Sequence, residues 1–252
     1  MRLLRALYRF QLCCNLFGKH ADSTRWNFRD LKFSTTDILT GFLCLFEPWE
    51  IEEILCVYTF SKGMYTEIFK EISWDLDAHN PRFDDQGRPP TPTGAFDLDD
   101  EAYLMGTISL GLQVLHRILI TREHEQRVAA MQEHICLPLG DFLEDEGTGI
   151  LDGWTQQDRR REHPCERDQK ELRRDALPFE GDTEASPPRA WTLIWRGTYS
   201  NRYGGYLDDA LRTWGYIMWD RVRLEDMGGE AILARLWDKR RSVGWSDARD
   251  SL

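Results

Sequence analysis

The stretch from Glu47 to about Ser73 constrains the fold most, because it combines a helix start with a long apolar face. Pro48 suits a first helical turn, since its φ angle is preset and the first turn needs no N–H donor. Glu50, Glu52 and Glu53 place negative charge at the positive end of the helix dipole. Apolar side chains then recur at helical spacing, at Ile51, Ile54, Leu55, Tyr58, Tyr65, Ile68, Phe69 and Ile72. The pattern predicts one long amphipathic helix that packs on a core.

Helical spacing also appears in other segments of the chain. They are residues 2–17, 36–46, 103–131, 207–227 and a shorter helix after Gly228-Gly229 that holds Ile232, Leu233, Leu236 and Trp237. In the first helix, the side chains expected on the core-facing side are Leu4, Leu7, Tyr8 and Leu12. In the segment 103–131, charged residues become more frequent beyond Thr121. This change favours either a solvent-facing second half of one helix or a separate helix. Since no segment alternates with period two, the sequence predicts a mainly α fold, an irregular helical domain over 1–252 with long loops and no β-sheet.

Two segments interrupt the helical pattern. Residues 75–100 are rich in proline and glycine and are predicted to form a long loop. Residues 156–189 hold 17 charged side chains, nine acidic and eight basic, and very few apolar ones. Because balanced charge with so little to bury is typical of a solvated helix or a disordered segment, this stretch is predicted to be a mobile insertion.

Charge, hydropathy and cysteine usage indicate which partners and which cellular compartment the chain favours. A net charge of −11 and a pI near 5.1 disfavour nucleic acid, because phosphate binding depends on Lys and Arg. No apolar run approaches the ~18 residues of a membrane span. The six cysteines form no CxxC pair, which is typical of reduced thiols in an intracellular protein. A cytoplasmic or nuclear location is predicted, with a mitochondrial one as the minor alternative because no acid precedes Asp22.

Known catalytic patterns are missing from the sequence. It contains no GxSxG, GxGxxG or GxxxxGK[ST] motif. His116, His124 and His134 are spread too far along a helical region to share one metal ion. The acids at Asp97, Asp99, Asp100 and Glu101 are interpreted as the capping group of the following helix. The sequence therefore predicts no catalytic residue, no metal ligand and no cofactor.

Tryptophan is the most unusual component of this chain, with 10 in total. The candidates for a partner-binding surface are Trp49, Trp191, Trp195, Trp214 and Trp219. Trp191 and Trp195 are four residues apart, whereas Trp214 and Trp219 are five apart and are not expected to share one helix face. Packing of large rings in the core explains such residues, and so does a protein-binding groove, because Trp dominates interface hot spots.

Four blocks of sequence resemble a large group of uncharacterised proteins of filamentous ascomycete fungi. The blocks are Ala6–Phe17, Phe46–Glu50, Gly94–Asp99 and Arg212–Asp220, and the resemblance extends over roughly residues 6–240. Some members of that group carry an F-box before the first block. Here five residues precede that block, so we expect either a member without the F-box or a chain that begins downstream of the true start.

The leading functional hypothesis is a non-catalytic protein–protein interaction module with an unidentified protein partner. It would resemble the part of fungal F-box proteins that recruits the substrate of a ubiquitin ligase. The first alternative is a hydrolase or transferase whose site is assembled from scattered residues such as Asp97–Asp100. The second alternative is a truncated gene product without independent activity.

Overall fold

The computed structural model describes residues 2–18, 33, 35–77, 79–81, 98, 100–138, 142–143, 165–201, 207 and 209–242. Its α-helices are α1 (Arg2–Phe17), α2 (Thr35–Gly41), α3 (Pro48–Leu76), α4 (Glu101–Ile108), α5 (Leu112–Ile120), α6 (His124–His134), α7 (Glu166–Arg173), α8 (Arg189–Ile194), α9 (Asp209–Trp214), α10 (Arg221–Asp226) and α11 (Gly229–Ser242). Short 3-10 helices cover Leu43–Leu45 and Tyr216–Met218. Among the described residues, β pairing is limited to one isolated bridge between Ala176 and Thr198. The prediction of a mainly α fold is confirmed.

The chain divides into two compact units. Unit 1 comprises Met1–Ala6, Thr35–Val57 and Asp145–Leu252, and unit 2 comprises Leu7–Ser34 and Tyr58–Glu144. The single-domain organisation over 1–252 stays a prediction.

Helix α3 confirms the prediction made for its stretch. It begins at Pro48 and continues to Leu76. Every side chain of the predicted apolar face is buried, which accounts for its strict spacing. The carboxylate of Glu50 accepts a hydrogen bond from the backbone N–H of Glu47 at 3.0 Å and so closes the helix start. Glu52 and Glu53 are buried as well, as is every residue from Ile51 to Tyr58, so the predicted division into an apolar and a polar face does not hold for this first part of the helix.

Helix α1 has the predicted bounds, but the prediction of its core-facing side is wrong. Leu4, Tyr8 and Leu12 are exposed. The buried apolar side chains are smaller or aromatic, at Ala6, Phe10, Cys13 and Cys14. In unit 2 the helix ends in close backbone contact, since a Cβ added at Gly18 would lie 2.2 Å from the carbonyl oxygen of Ser109. Small side chains on this side permit the close approach, and the larger Leu and Tyr side chains remain outside.

The segment predicted as helical over 103–131 consists of three helices, α4, α5 and α6. The separate helix beyond Thr121 is one of the two alternatives that the charge pattern favoured. The break between α4 and α5 lies at Gly111, whose φ of +86° is open to glycine and strained for other residues. The backbone N–H of Leu112, at the start of α5, has no acceptor within its own helix. Oε1 of the Gln11 side chain accepts this hydrogen bond instead, at 2.8 Å.

The prediction of a single helix over residues 207–227 is wrong. The segment contains α9, a 3-10 helix and α10. Gly215 interrupts it in the left-handed conformation, with φ of +67°. Asp220 then starts α10, since its carboxylate accepts from the N–H of Arg223 at 2.8 Å. The helix predicted after Gly228 is confirmed as α11.

The charged segment 156–189 is described from residue 165 onward, and its mobility stays a prediction. Helix α7 lies within it, and two of its acids, Asp168 and Glu171, are buried rather than solvated. Both carboxylates accept hydrogen bonds from Asn201. The backbone N–H of Asn201 donates to Glu171 at 2.7 Å, and the side-chain amide of Asn201 donates to Asp168. Most of the loop predicted over 75–100, residues 82–97 and 99, lies outside the described residues.

Candidate protein-interaction surface

The five candidate tryptophans occupy two different environments within unit 1. Trp49 is buried at the start of α3, and Trp191 and Trp195 are both 0% exposed. The rings of Trp191 and Trp195 lie 5.7 Å apart on α8 and its C-terminal cap. Helix α8 contacts α10 and α11, which explains why both rings face inward. In this conformation these three indoles are core side chains, and none of them faces solvent.

Trp214 and Trp219, in contrast, are partly exposed and lie together. Their ring centroids are 4.3 Å apart in an edge-to-face arrangement. The expectation that they cannot share a face assumed an unbroken helix. Because Gly215 ends α9 and the chain turns through the 3-10 helix before Trp219, the two rings meet.

Helix α10 places a cation next to the Trp219 ring, and its C-terminal cap adds an exposed apolar side chain. The guanidinium of Arg223 lies 5.1 Å from the centroid of the Trp219 ring, within the range of a cation–π interaction. Met227 follows Arg223 by four residues and is exposed. We call Trp214, Trp219, Arg223 and Met227 the Trp219 surface.

The charge of Arg223 is available to a ligand. Its neighbour Arg221 is engaged, because the Arg221 Nε donates to Glu225 at 2.6 Å. That carboxylate holds the pKa of Arg221 above its ordinary value. Among the described residues, no carboxylate lies within salt-bridge distance of the Arg223 side chain. The Trp219 surface therefore combines two aromatic rings with one uncompensated positive charge.

A buried ion pair fixes the helix that carries Trp214. In α9, Arg212 donates from Nε to Glu52 Oε1 at 2.7 Å and from an Nη to Oε2 at 3.2 Å. Both side chains are almost fully buried, at 2% and 0% exposure. Burial alone would lower the pKa of Arg212, but the charge and hydrogen bonds of Glu52 outweigh it and raise the pKa. The pair anchors α9 against α3 within unit 1.

A second ion pair in unit 1 uses the next residue of α3. Arg5 donates to both carboxylate oxygens of Glu53, at 3.1 and 2.7 Å. Another Nη of Arg5 donates to the carbonyl oxygen of Glu184 at 2.7 Å. Glu52 and Glu53 thus bind arginines from two distant parts of the sequence, and the acids predicted to complement the helix dipole act as anchors.

Sequence reasoning missed Arg223, Met227 and the Glu52–Arg212 pair. The signal for Arg223 was present, because Asp220 three residues earlier is a helix start and Trp219 is four residues away. No local signal identifies the Glu52–Arg212 pair, since its members are 160 residues apart.

The other candidate residues show structural roles. Asp100 caps α4 by accepting from the N–H of Ala102 at 2.9 Å, as its position suggested, while Asp97 and Asp99 lie outside the described residues. His124 hydrogen-bonds to Glu71 and Asp75. Within the described ranges, no group of three or more His, Cys, Asp or Glu side chains has the geometry of a metal site.

The buried thiols are unsuited to nucleophilic chemistry at neutral pH. Burial raises the pKa of Cys13 to about 12. Burial also raises the pKa values of Cys14 and Cys56. These three thiols are therefore protonated at neutral pH, and only thiolates are effective nucleophiles.

The chain matches no protein-family model, no curated protein and no solved structure. In the described part of the chain, no single helix has the length and apolar character to cross a membrane, and α4 with α5 meet those criteria only together, with a bend of 102°.

Proposed function

We propose that the chain is a non-catalytic protein–protein interaction module and that the Trp219 surface is its binding site. The observation that carries the proposal is the edge-to-face pair of Trp214 and Trp219 at the protein surface, with Arg223 over one ring. Trp and Arg are the residues most enriched among interface hot spots. A stacked arginine is also preorganised, so less side-chain freedom is lost when a ligand binds.

The chemistry of this surface favours a peptide segment with an apolar side chain next to a carboxylate. The apolar side chain would contact the exposed faces of the two indoles and Met227. The carboxylate would bind the Arg223 guanidinium, which has no carboxylate partner among the described residues and presents a planar fork of N–H donors. The anchored position of α9 keeps Trp214 in place for this contact.

The resemblance to the fungal group supplies a biological setting for the proposal. In a protein of that kind the module would recruit another protein, such as the substrate of a ubiquitin ligase, in the cytoplasm or nucleus. The proposal does not depend on this setting, because the binding chemistry resides in the Trp219 surface itself.

The test is a selection from a random peptide library on the full chain, followed by binding measurements on variants. Trp219→Ala is expected to weaken the selected peptides by about 30-fold or more, the effect of a hot-spot residue. Arg223→Ala is expected to weaken peptides that contain a carboxylate by about tenfold.

Two variants serve as matched controls. Trp74 is an exposed tryptophan on α3 in unit 2, so Trp74→Ala removes an indole elsewhere and is expected to leave peptide binding unchanged. Arg221→Ala removes the neighbouring arginine that Glu225 already engages. If selection yields no peptide, or if the peptides bind Trp219→Ala as tightly as the wild type, the proposal is wrong.

A further inference from the structure

Helix α10 is short, and a carboxylate from a distant part of the sequence supports its first turn. The helix has six residues, and a helix of that length is not stable on its own in water. Two of its first backbone N–H groups have side-chain acceptors. Asp220 accepts from the N–H of Arg223, and Asp182 accepts from the N–H of Arg221 through Oδ2 at 2.9 Å. The start of α10 therefore depends on a side chain 39 residues before it in unit 1.

The other oxygen of Asp182 binds the first helix of the chain. Nη1 of Arg2 donates to Oδ1 of Asp182 at 3.0 Å. The Arg2 side chain is 8% exposed and that of Asp182 is 29% exposed, so water and salt screen the pair less than a fully exposed one. Each oxygen of this carboxylate has a different partner, and Asp182 thereby connects the first turn of α1 to the first turn of α10.

A neighbouring arginine keeps the segment around Asp182 in place. Nη1 of Arg5 donates to the carbonyl oxygen of Glu184, two residues after Asp182, at 2.7 Å. The same guanidinium donates to both carboxylate oxygens of Glu53, which is 0% exposed in α3. Because Arg5 ties this segment to the long helix, Asp182 presents its carboxylate to α10 from a fixed position.

We propose that Asp182 is a positioning residue of the Trp219 surface, and that the first turn of α1 controls this surface through the Arg2–Asp182 pair. Trp219 immediately precedes the N-cap residue of α10, and Arg223 lies in the first turn of the helix. The contact between the Arg223 guanidinium and the Trp219 ring therefore depends on that turn being formed. Asp182 acts on both side chains through the backbone N–H of Arg221. Its effect on ligand binding rests on the proposed function, whereas the positioning itself is measurable without a ligand.

The two rings of the Trp219 surface then have separate anchors. Trp214 belongs to α9, which the buried pair of Glu52 and Arg212 holds against α3. Trp219 depends on the start of α10 and so on Asp182. Loss of the Asp182 carboxylate is expected to release one ring of the pair and to leave the other in place, which a general destabilisation of unit 1 would not do.

Fluorine NMR of the full chain, labelled with 5-fluorotryptophan at its 10 tryptophans, tests the inference. The resonances of Trp219, Trp191 and Trp195 are identified by their loss in the corresponding Trp→Phe variants. In Asp182→Ala we expect the Trp219 resonance to move toward its position in the urea-unfolded chain. The resonances of Trp191 and Trp195 are expected to stay in place, because both rings are fully buried.

Asp175→Ala is the matched control. Asp175 is also a partly exposed carboxylate of unit 1, at 39%, and it forms an ion pair with Arg173 at 2.6 Å. The substitution removes a comparable ion pair in which α10 takes no part. It is expected to leave the Trp219 resonance unchanged.

Variants of Arg2 test the connection to α1. Arg2→Gln removes a partner of Asp182 and leaves α10 untouched, so the Trp219 resonance is expected to shift in the same direction as in Asp182→Ala, by a smaller amount. Arg2→Lys keeps the positive charge and is expected to restore part of the wild-type position. In the double variant Arg2→Gln/Asp182→Ala, the shift is expected to equal that of Asp182→Ala alone, because Arg2 acts through Asp182.

Peptide binding relates the positioning to the proposed function. For a selected peptide that contains a carboxylate, Asp182→Ala is expected to weaken binding by about threefold to tenfold, because Arg223 must then be ordered when the peptide binds. If selection yields no peptide, the proposed function is wrong, and the Trp219 resonance alone decides whether Asp182 positions that ring.

The inference is overturned by any of three results. The Trp219 resonance of Asp182→Ala coincides with that of the wild type, Asp175→Ala shifts it equally far, or the Trp191 and Trp195 resonances move as far as it does. Urea unfolding of each variant shows whether it is folded. If Asp182→Ala is unfolded, Arg2→Gln takes its place, and an unchanged Trp219 resonance in that variant overturns the inference as well.

Discussion

The two tryptophan pairs of unit 1 have nearly the same chemistry but different surroundings. Trp191 and Trp195 are held within the core by α10 and α11, whereas Trp214 and Trp219 remain partly exposed next to Arg223. A regular helical turn produces the first pair, and a broken helix produces the second. Tryptophan spacing alone therefore does not separate core residues from surface residues. The backbone that joins the rings, and the helices that cover them, decide the environment.

The largest expected difference between the pairs is in stability. Trp191→Ala removes a fully buried ring and leaves a cavity, so we expect it to lower the free energy of unfolding by about 3–5 kcal/mol. Trp219→Ala removes a partly exposed ring and is expected to lower it by about 1 kcal/mol or less. Urea unfolding followed by circular dichroism measures both. Equal losses for the two variants would contradict the assignment of the pairs to core and surface.

The second prediction concerns the anchor beneath the exposed pair. Glu52→Gln leaves the buried Arg212 charge without its carboxylate, so we expect a loss of about 3 kcal/mol in the free energy of unfolding. Urea unfolding of the variant measures the loss.

The double variant Glu52→Leu/Arg212→Leu distinguishes an unpaired charge from lost packing. It removes both charges together and is expected to be more stable than Glu52→Gln, because no buried charge is left unpaired. Arg221→Ala breaks an exposed pair on α10 and is expected to change stability little. A double variant no more stable than Glu52→Gln would show that the charges themselves are not decisive.

These residues also show how far the sequence predicts the structure. Helix α3 and the bounds of α1 were predictable, because apolar periodicity and a proline start are local signals. The side of α1 that faces the core was not predictable. The large apolar side chains suggested burial, but the close approach of the neighbouring backbone requires small residues, and Cys13, Cys14 and Gly18 lie there instead. The pairing of Glu52 with Arg212 depends on the tertiary fold and has no local signature.

The exposed tryptophan pair was only half predictable. Trp214 and Trp219 were candidates from their type, but their contact depends on the break at Gly215. A glycine within an apolar helical pattern is a recognised break signal, yet the strong periodicity of Leu207, Leu211, Trp214 and Met218 suggested an unbroken helix. Their role in binding a partner stays a prediction.

The third prediction tests the break that brings the exposed rings together. Gly215→Ala forces alanine into the left-handed region, so we expect a loss of about 1–2 kcal/mol in the free energy of unfolding. It is also expected to move the Trp214 and Trp219 rings apart, which near-ultraviolet circular dichroism detects. Gly63→Ala is the control, because Gly63 lies inside α3 with open space around its Cβ position. That substitution is expected to stabilise the protein by about 0.5–1 kcal/mol.

The smallest expected effect comes from an exposed ion cluster in unit 2. Both ring nitrogens of His124 face carboxylates, Glu71 at 3.1 Å and Asp75 at 2.9 Å, so only the protonated ring donates to both. Hydrogen bonds to Glu71 and then Asp75 raise the pKa of His124 above 6.5. A raised pKa in the folded state means that the added stability is complete below about pH 6.5 and disappears as pH rises through the folded pKa. The stability difference between the wild type and His124→Gln should follow this course, and His116→Gln serves as the control. A difference that grows with pH would show that the neutral ring is the form the folded protein favours.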